Sequence, residues 1–147
     1  RVPQPFGYFD GVLVMEMITG ADGGSAPGLG QVELTADEAR RHHAALVQDV
    51  VRMLCAGLVH GDLSEYNVLL GADGPVIIDL PQAVDAAGNA HARAMLVRDV
   101  GNLSATLDRF APELLATRHA EEMWALFAAG ELRPDTVLSG RFDDPEV

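Results

Sequence analysis

The chain has 147 residues, of which 48% are hydrophobic, and a formal net charge of −12. This length can bury the core of one domain, and the strong negative charge disfavours direct binding to nucleic acid or to an acidic membrane. The single cysteine, Cys55, cannot form an intrachain disulfide, and no signal peptide or membrane-spanning stretch is visible, so we expect a cytoplasmic protein.

The first 34 residues are expected to form an entry strand and a loop. The apolar run from Val12 to Met17 is typical of a buried strand, and it lies within the segment 1–18. The segment 19–34 is rich in glycine. No helix start follows it at the distance that a phosphate-binding loop requires, so we interpret it as a flexible connection.

Residues 35–57 are expected to form an amphipathic helix. Thr35 and Glu38 match a capping box at its start, and Gly57 is the residue type that ends helices. The apolar spacing predicts one buried face, made of Ala39, His43, Leu46, Val47, Val50, Val51 and Leu54.

The segment 58–80 contains the residues that point to chemistry. The sequence HGDLSEYN, residues 60–67, lies between two short apolar stretches that are typical of strands, and Asp79 ends a third. The sequence GADG at 71–74 predicts a hairpin turn. Such a hairpin would bring Asn67 and Asp79 to the same end of two paired strands.

Asp62, Asn67 and Asp79 have the types and spacing of a kinase catalytic loop followed by its metal loop. In the protein-kinase signature the catalytic Asp precedes a metal-binding Asn by five residues, and a second metal-binding Asp follows on the next loop. A carboxylate at Asp62 would accept or orient the proton of the attacking group. Oxygen ligands from Asn67 and Asp79 suit Mg²⁺, and phosphoryl transfer depends mainly on such positioning.

The segment 90–130 is expected to be helical, followed by a tail at 131–147. A helical stripe recurs through Leu96, Val100, Leu103, Leu107 and Phe110. In kinase folds an acid on such a helix can hold the backbone amides of the catalytic loop, which is one hypothesis for Asp99. The alternative is an ion pair with Arg98 or Arg109. His60 is expected to brace the loop by hydrogen bonds.

Several motifs together resemble the RIO family of atypical protein kinases. The catalytic-loop sequence DLSEYN and the sequence IDLPQ at 78–82 are the specific ones, and VPQP at 2–5, VLVMEMI at 12–18 and RDVGNL at 98–103 support them. The match runs from about Val2 to Phe110. It implies a kinase-like α+β fold, in which this single domain corresponds to the mainly helical C-terminal lobe. It also implies an ATP- and Mg²⁺-dependent protein serine/threonine kinase or ATPase.

The resemblance also implies roles for the loop residues. Asp62 would be the catalytic aspartate, and Asn67 and Asp79 would hold Mg²⁺. Asp79 is in addition a candidate phosphoacceptor. Ser64 stands where ordinary Ser/Thr kinases carry a lysine, a substitution that RIO proteins share, and we place it among the ATP-binding residues with Asn67.

The same resemblance places the adenine end of ATP near the entry strand. The backbone of Glu16 and Ile18 would meet the adenine edge at a hinge, with Met15 beside it at the gatekeeper position. The phosphoryl acceptor could be a protein, Asp79 or water, and no protein substrate is indicated.

The chain departs from a complete kinase in one large respect. It contains no lysine, and no glycine-rich phosphate loop precedes Val12, so the parts that an N-terminal lobe supplies are absent. We expect a fragment of a longer protein that is weakly active or inactive alone. Two alternatives stay open: a small-molecule phosphotransferase of the aminoglycoside or choline type, and a pseudokinase-like binding module. The abundance of Ala, Gly and Arg suggests a GC-rich bacterial genome.

Overall fold

The computed structural model describes residues 2–3, 5–9, 12–15, 17–78 and 83–142, and for 5–9 and 12–15 it describes the backbone alone. Within these ranges the chain has the α+β architecture that the sequence predicts. Its elements in chain order are β1 (Pro5–Phe9), β2 (Val12–Met15), α1 (Ala36–Cys55), β3 (Leu58–Val59), β4 (Val68–Gly71), β5 (Gly74–Ile77), β6 (Val84–Asp85), α2 (Ala92–Leu107) and α3 (His119–Ala128).

The strands pair as three small antiparallel sheets: β1 with β2, β3 with β6, and β4 with β5. The β4–β5 hairpin confirms the turn predicted at 71–74, because Val68 pairs with Ile77 and Gly71 with Gly74. Gly74 has a φ of 123°, a backbone conformation that residues with a Cβ rarely adopt.

Helix α1 confirms the predicted amphipathic helix. The N–H of Glu38 donates to Thr35 Oγ1 at 3.1 Å, and the N–H of Thr35 donates to Glu38 Oε1 at 3.0 Å, so both bonds of the capping box form. The seven residues expected on the buried face are the seven that are buried. Gly57 follows the helix with a φ of 84°.

Helix α2 contacts both α1 and α3. Four residues of its predicted stripe are buried in the core: Leu96, Val100, Leu103 and Leu107. The fifth, Phe110, lies beyond the end of the helix at Leu107 and is partly buried against the core. Asp99 is also buried on this face, and its position decides the shape of the neighbouring loop.

Residues 131–142 form a loop that is fixed against α3. Both carboxylate oxygens of Glu122 accept bonds from the loop, from Ser139 N and Oγ and from Gly140 N, at 2.9–3.1 Å. Leu132 is buried in the core. The part of the expected tail that the structure describes is therefore integrated into the domain.

Candidate active site

The loop 60–67 connects β3 to β4 and presents one acidic side chain to solvent. Gly61 and Leu63 are buried, whereas Asp62 between them is exposed. Gly61 has a φ of 88°, which a residue with a Cβ adopts only with strain. This turn directs the Asp62 side chain outward.

Asp99 of α2 holds the loop through its backbone. Its Oδ2 accepts a hydrogen bond from Gly61 N at 2.8 Å, and its Oδ1 accepts one from Leu63 N at 3.0 Å. The Asp99 residue is only 1% exposed. Of the two hypotheses for Asp99, the one in which it bonds the backbone amides of this loop is confirmed.

Two further side chains of α2 bond the carbonyl groups of the same loop residues. Arg98 Nη2 donates to Gly61 O at 2.6 Å, and Asn102 Nδ2 donates to Leu63 O at 3.0 Å. The backbone N–H and C=O of Gly61 and Leu63 are thus all bonded to α2, on both sides of Asp62. The sequence reasoning assigned no such role to Arg98 and Asn102.

His60 braces the loop from the other side, as predicted. Its Nδ1 accepts a bond from Asp62 N at 3.2 Å, and its Nε2 lies 2.9 Å from Ile78 O. Nδ1 accepts from an N–H and Nε2 faces a carbonyl oxygen, so these partners place the donated proton on Nε2. His60 therefore serves as a connector between the loop and the end of β5.

Asn67 is buried at the base of the loop, with 8% exposure. Its Nδ2 donates to Asp62 O, while its own backbone accepts a bond from Ile78 N at 2.8 Å. The first bond ties the orientation of the Asn67 amide to the position of Asp62. The second places Asn67 beside Ile78, the last described residue before the gap at 79–82.

Of the remaining predicted site residues, some lie outside the described ranges, one is described by its backbone alone, and the others are described in full. Glu16 and Asp79 lie outside the described residues, and Met15 is described only as the backbone of β2. Ser64 Oγ accepts a bond from Tyr66 N at 3.3 Å and caps the short 3₁₀ turn Glu65–Asn67. Asp62, Ser64 and Asn67 therefore come together in one loop.

Ile18 lies away from this group. Its side chain is buried near the position of Gly71, where a Cβ would lie 3.1 Å from Ile18 Cγ2. Its carbonyl accepts a bond from Ala26 N at 3.0 Å. Ile18 is thus near the turn end of the β4–β5 hairpin, whereas Asn67 is at the opposite end.

The electrostatics of the site follow from burial. Removal from water raises the pKa of the Asp99 carboxyl, while the bonds from Gly61 and Leu63 and the nearby Arg98 act in the opposite direction. The backbone N–H groups that Asp99 positions thus offset part of the cost of burying its carboxylate.

Two cavities border the 3₁₀ turn that follows Asp62. One, of about 400 Å³, lies between this turn and α2 and includes Asn102 and Arg109 in its lining. The other, of about 390 Å³, lies between the turn and the glycine-rich segment. A larger cavity of about 510 Å³ lies between that segment, α1 and the hairpin, but its described lining includes no residue of the loop 60–67.

Across the part of the chain that the structure describes, no three His, Cys, Asp or Glu side chains form a group that could hold a metal ion. No helix within the same ranges is long and apolar enough to cross a membrane.

The sequence matches a known protein family. The family model described as RIO domain matches residues 1–120, which include the whole loop and the α2 residues that anchor it. The chain belongs to the RIO domain family. This is the family that the sequence motifs resemble.

Curated RIO relatives are similar over most of this chain. Human serine/threonine-protein kinase RIO1 is 36% identical over 121 residues, which cover 82% of this chain and 21% of the relative. RIO-type serine/threonine-protein kinase Rio1 of Thermoplasma acidophilum is 40% identical over 102 residues, which cover 69% of this chain and 51% of the relative. Serine/threonine-protein kinase RIO3 of Caenorhabditis elegans is 38% identical over 123 residues, which cover 78% of this chain and 23% of the relative.

The chain spans between about a fifth and a half of the length of these relatives. They are kinases by name, and they come from eukaryotes and an archaeon. The expected bacterial origin of this RIO chain stays a prediction.

Proposed function

We propose that this chain carries the catalytic loop of a RIO-type enzyme that transfers the γ-phosphoryl group of Mg-ATP, as a protein serine/threonine kinase or as an ATPase. One observation carries the proposal. Asp62 is exposed on a loop in which the polar backbone groups of both neighbouring residues are bonded to α2. Phosphoryl transfer requires this kind of fixed position.

Asp62 is the residue that would meet the attacking hydroxyl or water. Its carboxylate would accept the hydroxyl hydrogen bond and orient the oxygen toward phosphorus. Its N–H and C=O are already engaged by His60 and Asn67, so its backbone is held while the side chain stays accessible. A kinase and an ATPase would use this same group and differ in which nucleophile reaches it.

Asn67, the proposed ligand that the structure describes, suits Mg²⁺, which would neutralise charge on the phosphates when bound. Asn67 offers an amide oxygen, a hard ligand of the kind that Mg²⁺ takes, and its amide nitrogen is occupied by Asp62 O. Asp79 is the second proposed ligand. Its neighbour in sequence, Ile78, is bonded to Asn67, which supports a shared ion with few protein ligands.

The proposed nucleotide would lie along the β4–β5 hairpin. Asn67 and Ser64 are at the phosphate end, and Ile18 is near Gly71 at the other end. Four residues of strand separate the two ends, or about 13 Å at the usual rise of a strand. Met15 and Glu16, which precede Ile18, are the proposed neighbours of the adenine base.

The acceptor is proposed to be a protein hydroxyl or the Asp79 carboxylate. The printed names of the relatives, serine/threonine-protein kinases, support the first. If Asp79 is the acceptor, one of its carboxylate oxygens would bond to the γ-phosphorus and ADP would leave. Water would later cleave the acyl phosphate.

The two acceptors can be separated by one labelling experiment. The longest natural protein that contains this chain is incubated with γ-labelled Mg-ATP, beside its Asp79→Asn variant, and the protein-bound label is treated with hydroxylamine. Asp73→Asn is the matched control, because Asp73 lies in the exposed turn of the hairpin, remote from Asn67.

Label that hydroxylamine removes and that is absent from Asp79→Asn would indicate the acyl phosphate. Hydroxylamine-stable label would indicate Ser/Thr transfer. In either case we expect Asp79→Asn to abolish turnover while the protein stays folded. Normal turnover in a folded Asp79→Asn variant would contradict the assignment of Asp79.

A further inference from the structure

The 390 Å³ cavity beside the 3₁₀ turn is lined by one carboxylate and one aromatic ring, and we call it the Glu65 cavity. Its lining includes Gly28, Gly30, Gln31, Glu65, Tyr66 and Leu69. Among the described lining residues Glu65 is the only charged one. Tyr66 is 80% exposed, so its ring is accessible from solvent.

Glu65 is held over the glycine-rich segment. A Cβ at Gly30 would lie 2.5 Å from Glu65 Oε2, too close to coexist with the carboxylate in its present position. No ion pair engages this carboxylate among the residues that the structure describes. The side chain therefore occupies space that only a glycine at position 30 leaves open.

We propose that the Glu65 cavity binds an arginine side chain of the protein substrate, near the hydroxyl that Asp62 meets. This inference rests on the proposed function and adds the substrate class to it. A guanidinium would bond the Glu65 carboxylate and face the Tyr66 ring. Leu69 and the glycine-rich segment would cover its methylene stem.

The distance along the loop limits where the arginine lies in the substrate. Glu65 is three residues after Asp62, so their Cα atoms are at most about 11 Å apart. An extended peptide covers that length in about three residues. The arginine should therefore lie within about three residues of the phosphorylated serine.

The overall charge of −12 would attract any basic peptide, so the test must separate a specific site from general attraction. The probes are fluorescein-labelled nonapeptides with a central serine and alanine elsewhere. In each peptide a single arginine occupies one of the other eight positions, and an all-alanine version is the reference. Binding to the longest natural protein is measured by anisotropy, at low and moderate salt and without turnover.

We expect one position near the serine to improve Kd by about tenfold over the alanine peptide. Glu65→Gln should remove this gain. Gly30→Ala should also remove it, because the new methyl group displaces the carboxylate without changing the charge. Glu131→Gln, an exposed change remote from the cavity, should leave the gain intact.

Equal gains from arginine at every position would mean general attraction and would overturn the inference, as would a positional gain that survives in folded Glu65→Gln. Turnover is then measured with the best peptide. Position-specific binding without phosphorylation would contradict the proposed kinase function but not the arginine site. Phosphorylation that is indifferent to arginine would contradict the arginine site but not the kinase function.

Discussion

Single residues of α2 determine the shape of the loop that carries Asp62. A catalytic side chain on a loop is positioned only as well as the groups that fix the loop. Here Arg98, Asp99 and Asn102 bond two carbonyl and two N–H groups that flank Asp62. Because these bonds are to backbone, they fix Asp62 without occupying its carboxylate.

The central bond acceptor is Asp99, and we predict that Asp99→Asn weakens both stability and catalysis. An amide can accept from only one of the two N–H groups, and its NH₂ would face the other. We expect the free energy of unfolding in urea to fall by about 1–3 kcal/mol. In the complete protein, kcat should fall more than KM for ATP changes, because the loop would lose its position rather than its nucleotide contacts.

The control for Asp99→Asn is Asp108→Asn at the C-terminal cap of the same helix, where the side chain is half-buried. The same small change in unfolding free energy and the same kcat in both variants would contradict the role of Asp99 in holding the loop.

Sequence reasoning found part of this network. Asp62 and Asn67 could be recognised from their kinase-like spacing. His60 and Asp99 could be recognised from their positions beside the loop and on the helix expected beneath it. The donors Arg98 and Asn102 were not assigned. Their separation of four residues does place them on the same side of a helix, but only the approach of the loop shows which carbonyl groups they reach.

At the scale of elements, a buried histidine joins the three helices. His43 of α1 is 2% exposed, its Nε2 lies 2.9 Å from Ser104 Oγ of α2, and its ring centre lies 5.4 Å from that of His119 of α3. Burial, and then the proximity of His119, lower the pKa of His43 to about 4. The His43 ring therefore stays neutral in the fold at a pH at which it would be protonated in the unfolded chain.

This difference predicts that acid weakens the packing of the helices. Below an ordinary pKa of 6.5 the unfolded state binds a proton that the folded state excludes until about pH 4, so stability falls as pH falls across this window. Between pH 7.5 and 5 His43 should account for about 2 kcal/mol. Burial also lowers the pKa of His119, so this ring contributes to the same loss of stability in acid.

The test is urea unfolding of His43→Gln and the unmodified chain at several pH values. The difference in their unfolding free energies should shrink by about 2 kcal/mol from pH 7.5 to 5. His42→Gln, a half-buried neighbour on α1, should show a smaller change in the same direction. A difference for His43→Gln that does not depend on pH would rule out the buried neutral ring.

Element prediction was most successful where the sequence is periodic or capped. Helix α1 and the β4–β5 hairpin follow from a capping box, an apolar stripe and a turn sequence. The pairing of β3 with β6 could not be predicted, because two-residue strands have no periodicity and the paired residues are far apart in sequence. Leu58 pairs with Asp85 and Val59 with Val84. The 3₁₀ turns at Glu65–Asn67 and Pro112–Ala116 were also not distinguished from loop or helix.

At the scale of the whole molecule, two properties bear on function: the net charge of the chain and the fraction of its relatives' length that it spans. A net charge of −12 favours basic partners, in agreement with the arginine site proposed beside Asp62. The chain matches a RIO domain over residues 1–120 yet spans only part of its relatives. Activity is therefore best measured in the longest natural protein that contains it.

The central claim is that the loop holds Asp62 for phosphoryl transfer, and the most direct test is a single-turnover measurement with Mg-ATP. We compare Asp62→Asn, the unmodified protein and Asp73→Asn, and measure nucleotide affinity separately. The account predicts that Asp62→Asn lowers the rate by about 10²–10⁴-fold, with affinity and fold retained and Asp73→Asn unaffected. An unchanged rate in a folded Asp62→Asn protein would contradict it.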